Sequence, residues 1–459
     1  MTIYIVEGVT PALTAGSGDY LKILETALII NVNGDDPVTL RDGGAVLHNY
    51  CFLGTGANGA VIAQGDGHRI INFDTGRLFA LIGIDYRGAD GQIVNLGFIR
   101  GDHIAGVALR DATDSVFDNR DWVEGGNFGV FVGDDSHNVL VRNSGEISSA
   151  SNIGVGFGAQ VSDVRLENSG TITGDFAGVQ VAAGAGDVEI KNFGTISGTY
   201  GVVHEGGGRV LNFGTIESVD LRPAILMVGT DQPAAVINQG TILGDVLING
   251  EGGVFRNGGD VSGSFGSLST SDTRQTVFND GIIQGEVFLF GGNDRYIATG
   301  AGTVAAVYGG AGNDILKSAD AATYMDGGAG RDKITTGAGG GTLNGGAGRD
   351  LLFGGDGADV FLFDDVADSA AAQPDVIIGF ERGVDVINLA GVAAMPLAFD
   401  GTDALRGGGQ ASVNYVQRAD GHLNVWVDVD GDGSRDMRIV VKDTDALDWD
   451  DFGLDPLIV

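Results

Sequence analysis

The chain has 459 residues, 81 of them glycine and 7 proline, and 43% of it is hydrophobic. That length admits several domains, and that apolar fraction excludes wholesale disorder. Asp and Glu number 61 against 26 Lys and Arg, a net charge of −35, which repels nucleic acid and anionic membranes and makes cations the expected small partners.

The opening Met1-Thr2-Ile3-Tyr4-Ile5-Val6-Glu7 lacks the basic and apolar regions of a signal peptide. No apolar run approaches the ~20 residues that span a bilayer, so no membrane insertion is expected. Cys51, the single cysteine, cannot form an internal disulfide, so stability outside the cell would have to come from stacking and metal.

From about residue 30 to 285 a long repeat runs through the chain. Its clearest forms are Asn168-Ser169-Gly170-Thr171-Ile172 and Asn192-Phe193-Gly194-Thr195-Ile196. Asn49, Asn72, Asn95, Asn119, Asn143, Asn212, Asn238, Asn257 and Asn279 continue it at intervals of 19 to 26 residues, a period that means a solenoid. Residues before each Asn alternate, as in Val164-Arg165-Leu166-Glu167, giving one buried and one solvated face. Short alternating strands without a helical pattern predict a parallel β-helix, right-handed by default, with the Asn side chains stacked as an amide ladder. Residues 1–30 are expected to cap its first rung.

A parallel β-helix is a common home for polysaccharide-modifying enzymes, and residues 102–137 hold the best candidate patch. Asp111 and Asp135 lie one period apart, with Arg110 and His137 beside them. Paired carboxylates with Arg and His could bind a uronate and abstract its C-5 proton. The bland reading is a solvated acidic face.

Residues 309–362 carry a nine-residue register. Gly309-Gly310-Ala311-Gly312-Asn313-Asp314, Gly327-Gly328-Ala329-Gly330-Arg331-Asp332, Gly345-Gly346-Ala347-Gly348-Arg349-Asp350 and Gly354-Gly355-Asp356-Gly357-Ala358-Asp359 each begin a G-G-x-G-x-D-x-U-x unit. Apolar Val307, Leu316, Met325, Ile334, Leu343, Leu352 and Phe361 follow at nine-residue spacing. Glycines allow the positive φ of tight turns and leave carbonyls free to converge on an ion, while Asp adds the hard oxygen that calcium prefers.

The repeat resembles that of RTX (haemolysin-type calcium-binding repeat) secreted proteins. The resemblance implies a β-roll of two units per coil, so turns 18 residues apart stack on one edge. It places calcium on Gly309, Ala311, Asn313, Asp314, Gly327, Ala329, Arg331, Asp332, Gly345, Ala347, Arg349 and Asp350. Two well-formed sites are expected, between Asp314 and Asp332 and between Asp332 and Asp350. Asp359 stands alone on the other edge, and Asp294 in Gly291-Gly292-Asn293-Asp294 offers a further, out-of-register position.

Asp375-Val376-Ile377-Ile378-Gly379-Phe380 through Gly383-Val384-Asp385-Val386-Ile387 resembles the segment that closes such rolls. By that likeness Asp375 and Asp385 help to hold a last ion. Asp428-Val429-Asp430-Gly431-Asp432 spaces carboxylates like an EF-hand loop start, but Ile439 stands where the loop needs Glu. A β-turn between strands accounts for it equally. The family also implies type I secretion through an uncleaved C-terminal signal, which the ending Asp450 to Val459 resembles.

These readings give an all-β chain: a right-handed parallel β-helix over 1–285, an RTX parallel β-roll over 286–366, and a β-rich C-terminal cap with secretion signal over 367–459. The expected function is that of a secreted, extracellular or surface-associated calcium-binding scaffold or adhesin, folding on calcium after export. Its expected partners are calcium, the type I secretion machinery, and extracellular polysaccharide or a cell surface. The alternative is a uronate lyase or C-5-epimerase acting at Asp111 and Asp135.

Overall fold

The structure, a computed structural model, describes residues 3–6, 12–24, 28–31, 37–55, 58–133, 135–229, 234–250, 252–266, 273–319 and 322–453. Helix among them is limited to the 3-10 turns Val366–Ser369 and Trp449–Phe452. The rest is strand and turn, in two compact units, Met1–Glu251 and Gly252–Val459.

The first unit is a parallel β-solenoid whose coils carry three short strands each. Val164–Asn168, Thr171–Gly174 and Ala177–Val181 pair in register with Val188–Asn192, Thr195–Gly198 and Tyr200–His204 of the next coil. Alternate residues turn inward, so Ile172, Ile196, Ile216 and Ile242 form a fully buried column. Each such side chain contributes roughly 1.5 to 3 kcal/mol on burial. Within the stretch expected to cap the rod, Ile3–Val6 pairs with Tyr20–Ile23 and Leu28–Asn31 with Phe52–Thr55, both in parallel.

The Asn at the end of the first strand of each coil is buried in spite of its polarity. Asn143 Nδ2 donates to Asn168 Oδ1, and Asn168 Nδ2 to Asn192 Oδ1, each at 2.8 Å. The amide chain runs from Asn49 to Asn238. An amide is both donor and acceptor, so a column of identical amides satisfies itself. The Gly two residues later is required by close approach: a β-carbon on Gly194 would collide with the Gly170 carbonyl oxygen.

The second unit begins with parallel rungs of its own and then shortens. Ile315–Lys317 pairs with Lys333–Thr335 and Thr323–Gly330 with Gly341–Asn344, an 18-residue coil of two strands. Val307, Leu316, Met325, Ile334, Leu343, Leu352 and Phe361 are fully buried between the faces. Past the roll, Val376–Ile378 joins Leu351–Phe353 on one side and Met437–Val441 on the other. Ser412–Gln417, Leu423–Asp428 and Met437–Val441 then form an antiparallel meander. Ser369 ties the two parts together, its hydroxyl donating to the Arg438 carbonyl and accepting from Asp375 N–H.

Replacing Asn168 by Ala leaves the Asn192 oxygen without its amide donor and removes the side-chain donor of the Gly170 and Thr195 carbonyls, the first of which keeps Thr195 N–H. The expected loss is about 2 to 4 kcal/mol in urea unfolding. A loss under about 0.5 kcal/mol, the range of ordinary surface substitutions, would show that the ladder does not hold the rungs.

Candidate metal centre

In the nine-residue units the Asp follows a turn whose glycines at the second and fourth places have positive φ: Gly328 at +94° and Gly330 at +145°, Gly346 at +79° and Gly348 at +153°. That turn lets the Asp side chain fold back into the coil. Asp294, Asp314, Asp332, Asp350 and Asp375 are all buried.

They form one column. Asp294, Asp314, Asp332 and Asp350 each donate a backbone N–H to Oδ1 of the next Asp, every bond 2.7 Å long. Gln275 N–H caps the series at Asp294 Oδ1. One oxygen of each carboxylate is thereby fixed by the backbone. The other, Oδ2, is buried and has no hydrogen-bond partner on any of the five among the described residues. These oxygens lie over the first glycine of their own turn: a β-carbon at Gly327 would stand 2.5 Å from Asp332 Oδ2, and one at Gly345 2.6 Å from Asp350 Oδ2.

Burial pushes these carboxyls far above the usual carboxylate range, Asp294 and Asp350 to about 7, Asp332 to about 8 and Asp375 to about 9. Neighbouring carboxylates raise them further. Asp350 and Asp314 act on Asp332, and Asp350 on Asp375. Asp314 is raised too, by burial. A column of orphaned buried oxygens disfavours negative charge unless a cation joins it.

That donor set fits calcium, which takes several oxygens in a flexible geometry. Asp294, Asp314, Asp332, Asp350 and Asp375 would hold it, a cation supplying charge neutralisation between rungs.

The structure refines the expected site. Asp294 is in the column although it lies 20 residues from Asp314 instead of 18. The two extra residues fall between Ile297 and Val307, whose partners are Lys317 and Met325, so the Asp register is untouched. Asp375 and Asp385 are separated: Asp375 extends the first edge beyond Asp350, whereas Asp385 Oδ1 accepts Asp359 N–H on the other edge at 2.9 Å. Asp359 is raised to about 6 by burial, and its Oδ1 also lacks a partner.

Of the expected backbone positions, Ala311 pairs with Ala329 and Ala329 with Ala347. The Ala311 carbonyl accepts Gly292 N–H, and Asn313 Oδ1 accepts Arg331 N–H. Gly309 lies against Asp314 Oδ2, while Arg331 and Arg349 are exposed beside the column.

Sequence reasoning missed Asp326 and Asp368. Asp368 on the 3-10 turn adds negative charge near Asp350, Asp375 and Asp326, and no motif marks a carboxylate brought there by a loop.

The other candidates differ in kind. Asp428, Asp430 and Asp432 bring carboxylate oxygens within 4.8 Å of one another. Both oxygens of Asp428, however, already accept Gly431 and Gly433 N–H, and the segment joins antiparallel strands. In the first unit, Asp111 within the strand Phe98–Thr113 and Asp135 on a turn are both exposed and have positive φ. Arg110 faces Asp85 at 3.5 Å and His137 bonds Ser162 at 2.8 Å, so hydrogen bonding does not join the four. Of the expected C-terminal signal, residues 454–459 lie outside the described residues. No described helix is long and apolar enough to cross a membrane.

Residues 284–452 match the family described as peptidase M10 serralysin C terminal. Among solved structures the chain is similar to PfbA, a surface adhesin of Streptococcus pneumoniae, at 10% identity over 73% of this chain and 80% of that one, with TM-score 0.27. A second PfbA structure is similar at 11% identity over 76% and 90%, with TM-score 0.23. No curated protein matches the sequence.

Without metal, folded Asp350, Asp332 and Asp375 keep their protons to about pH 7, 8 and 9, against a reference of 3.8. The folded state then binds more protons than the unfolded one. Its contribution to stability is full below the reference value and is lost as pH rises through the folded values. In chelator, urea resistance of residues 252–459 within the full chain should therefore be higher near pH 5 than near pH 8. Calcium, which competes with those protons, should invert the order. Chelated protein equally resistant at both values would refute the electrostatic account.

Proposed function

We propose that the chain is an extracellular calcium-binding scaffold of the RTX type. Its β-helix, residues 1–285, displays a repetitive surface, and its roll, 286–366, is completed by calcium and closed by a cap, 367–459. The observation that carries this reading is the column of orphaned Oδ2 atoms on Asp294, Asp314, Asp332, Asp350 and Asp375. The family match over residues 284–452 supports it.

The mechanism follows from charge. In a cell interior poor in calcium the carboxylates stay apart in a loosened roll, a state suited to export of an extended chain by a type I machinery. Outside, calcium neutralises the column and the rungs close. Where calcium stands ten times above a ~10⁻⁴ M dissociation constant, typical of extracellular modules, each site adds roughly 1.4 kcal/mol. Several sites approach the low end of the ~5 to 15 kcal/mol that holds a whole domain.

The repeated outward positions of the β-helix support a surface or adhesive role, with polysaccharide or a cell surface as partner. In the patch that a uronate-modifying enzyme would use, Arg110 and His137 are engaged by Asp85 and Ser162.

Calorimetric titration of the full chain should show several calcium ions bound, with a circular dichroism change between chelator and millimolar calcium. Asp332→Asn removes the carboxylate shared by two neighbouring positions and is expected to weaken or abolish both. Unchanged stoichiometry in that variant, or a spectrum indifferent to calcium, would sink the proposal.

A further inference from the structure

The cations of the second unit are not distributed like those of the first. Across residues 116–212 of the first unit, outward cations of the Asn-bearing sheet are held in ion pairs. Arg142 pairs with Glu167, and Arg165, Lys191 and Arg209 all pair with Glu189.

In the second unit the same kind of sheet is built by Val254–Asn257, Thr276–Asn279, Arg295–Ala298, Ile315–Lys317, Lys333–Thr335 and Leu351–Phe353, paired in that order. Register gives two outward columns. One reads Val254, Thr276, Arg295, Ile315, Lys333, Leu351; the other reads Arg256, Phe278, Ile297, Lys317, Thr335, Phe353. Neither contains a carboxylate. Arg274, Arg331 and Arg349 stand exposed in the turns just before three of these strands.

None of these seven cations enters an ion pair among the described residues, where the unit's ion pairs belong to Arg382, Arg406 and Arg418. Three of them lie against aromatic faces instead, and Arg274 Nε donates to the Asn293 carbonyl at 2.9 Å. Arg256 and Arg295 lie 4.1 and 5.9 Å from the centre of the Phe278 ring, and Lys333 lies 4.8 Å from that of Phe353. A depression of about 590 Å³ lined by Asn313, Arg331, Asp332, Lys333, Arg349 and Leu351 opens on the strip.

Seven cations without an ion pair among the described residues, on one face of a chain with net charge −35, form a local anion site against the overall field. We propose that this strip binds an acidic polysaccharide laid along the roll, its carboxylate or sulfate groups on the cations and its sugar rings against Phe278 and Phe353. This rests on the extracellular reading for the partner's setting and on a closed roll beneath the strip, whereas the cation side chains themselves hold no calcium.

Charge density selects the ligand. The strip offers about one cation per rung, or one per roughly 4.8 Å. A polysaccharide with one acidic group per sugar carries charge at similar spacing. A nucleic acid carries one charge per ~3.4 Å on a single strand and one per ~1.7 Å of duplex, which the remaining acidic surface would repel. A second copy of the chain brings another −35 and is disfavoured for the same reason.

The test uses the full calcium-loaded chain and a polyuronate oligosaccharide long enough to cover six rungs. A neutral oligosaccharide of equal length, a single-stranded oligonucleotide and vesicles of phosphatidylglycerol are the competitors. Binding should be selective for the polyuronate and weaken with salt. Arg295→Gln, Lys317→Gln and Lys333→Gln together should weaken it at least about tenfold, and the salt slope should shrink by roughly 2. Arg142→Gln with Arg165→Gln, on the ion-paired face of the first unit, should change neither.

Three results would each overturn the proposal: no binding by the wild type, preference for oligonucleotide or vesicles, or full binding by the triple variant. The last is also what calcium bridging between the ligand and an acidic face would give. Calcium titration of every variant separates the two readings. A chain that binds polyuronate through the strip but takes up no calcium refutes the calcium switch and keeps the strip.

Discussion

In a parallel solenoid every residue is stacked on the residue one coil away, at roughly 4.8 Å. Whatever a position carries, it meets its own equivalent. Apolar residues tolerate this without condition, as the Ile172, Ile196, Ile216 and Ile242 column does. Polar residues tolerate it only if the group can partner itself or a third party intervenes. The two buried polar columns answer that demand differently.

Asn and Asp have nearly the same shape and opposite behaviour when stacked. The amide of Asn168 donates to Asn192 and accepts from Asn143, so the column closes on itself. A carboxylate can only accept. Asp332 therefore takes a backbone N–H on Oδ1, from Asp314, and leaves Oδ2 with nothing. The Asn column gives coils that stand without help. The Asp column, on the function proposed above, makes closure of the roll at neutral pH depend on a cation, and this single chemical difference would divide a permanent scaffold from a switchable one.

The repeats were legible because stacking imposes a period. The Asn interval fixed the solenoid, and the nine-residue unit fixed the two-strand coil. Sequence failed where spacing and position part company. Asp294 reads as out of register because two extra residues sit between Ile297 and Val307, on a different part of the coil from the Asp column. Asp375 stands 25 residues from Asp350 because the intervening loop carries the Val366–Ser369 turn, so period alone cannot align it. Asp385 shares a motif with Asp375 yet belongs to the opposite edge. The cation strip was not legible at all. Each strand contributes only two outward residues, and their alignment exists only once the register is known.

Charge is layered rather than averaged in the roll. Arg331, Asp332 and Lys333 are consecutive, and the carboxylate goes in while both cations stay out. The inner column thus lies beneath a positive skin, and Arg331 counteracts part of the upward shift on Asp350 as Arg274 does on Asp294. The skin makes the column easier to ionise without entering it. It also cannot replace the internal cation, because an exposed guanidinium is screened by solvent and lies outside the buried space where Oδ2 lacks a partner. A net charge of −35 conceals this arrangement: the acidic excess lies partly inside the roll, where it calls for metal, and the cations lie outside, on the strip proposed to take a polyanion.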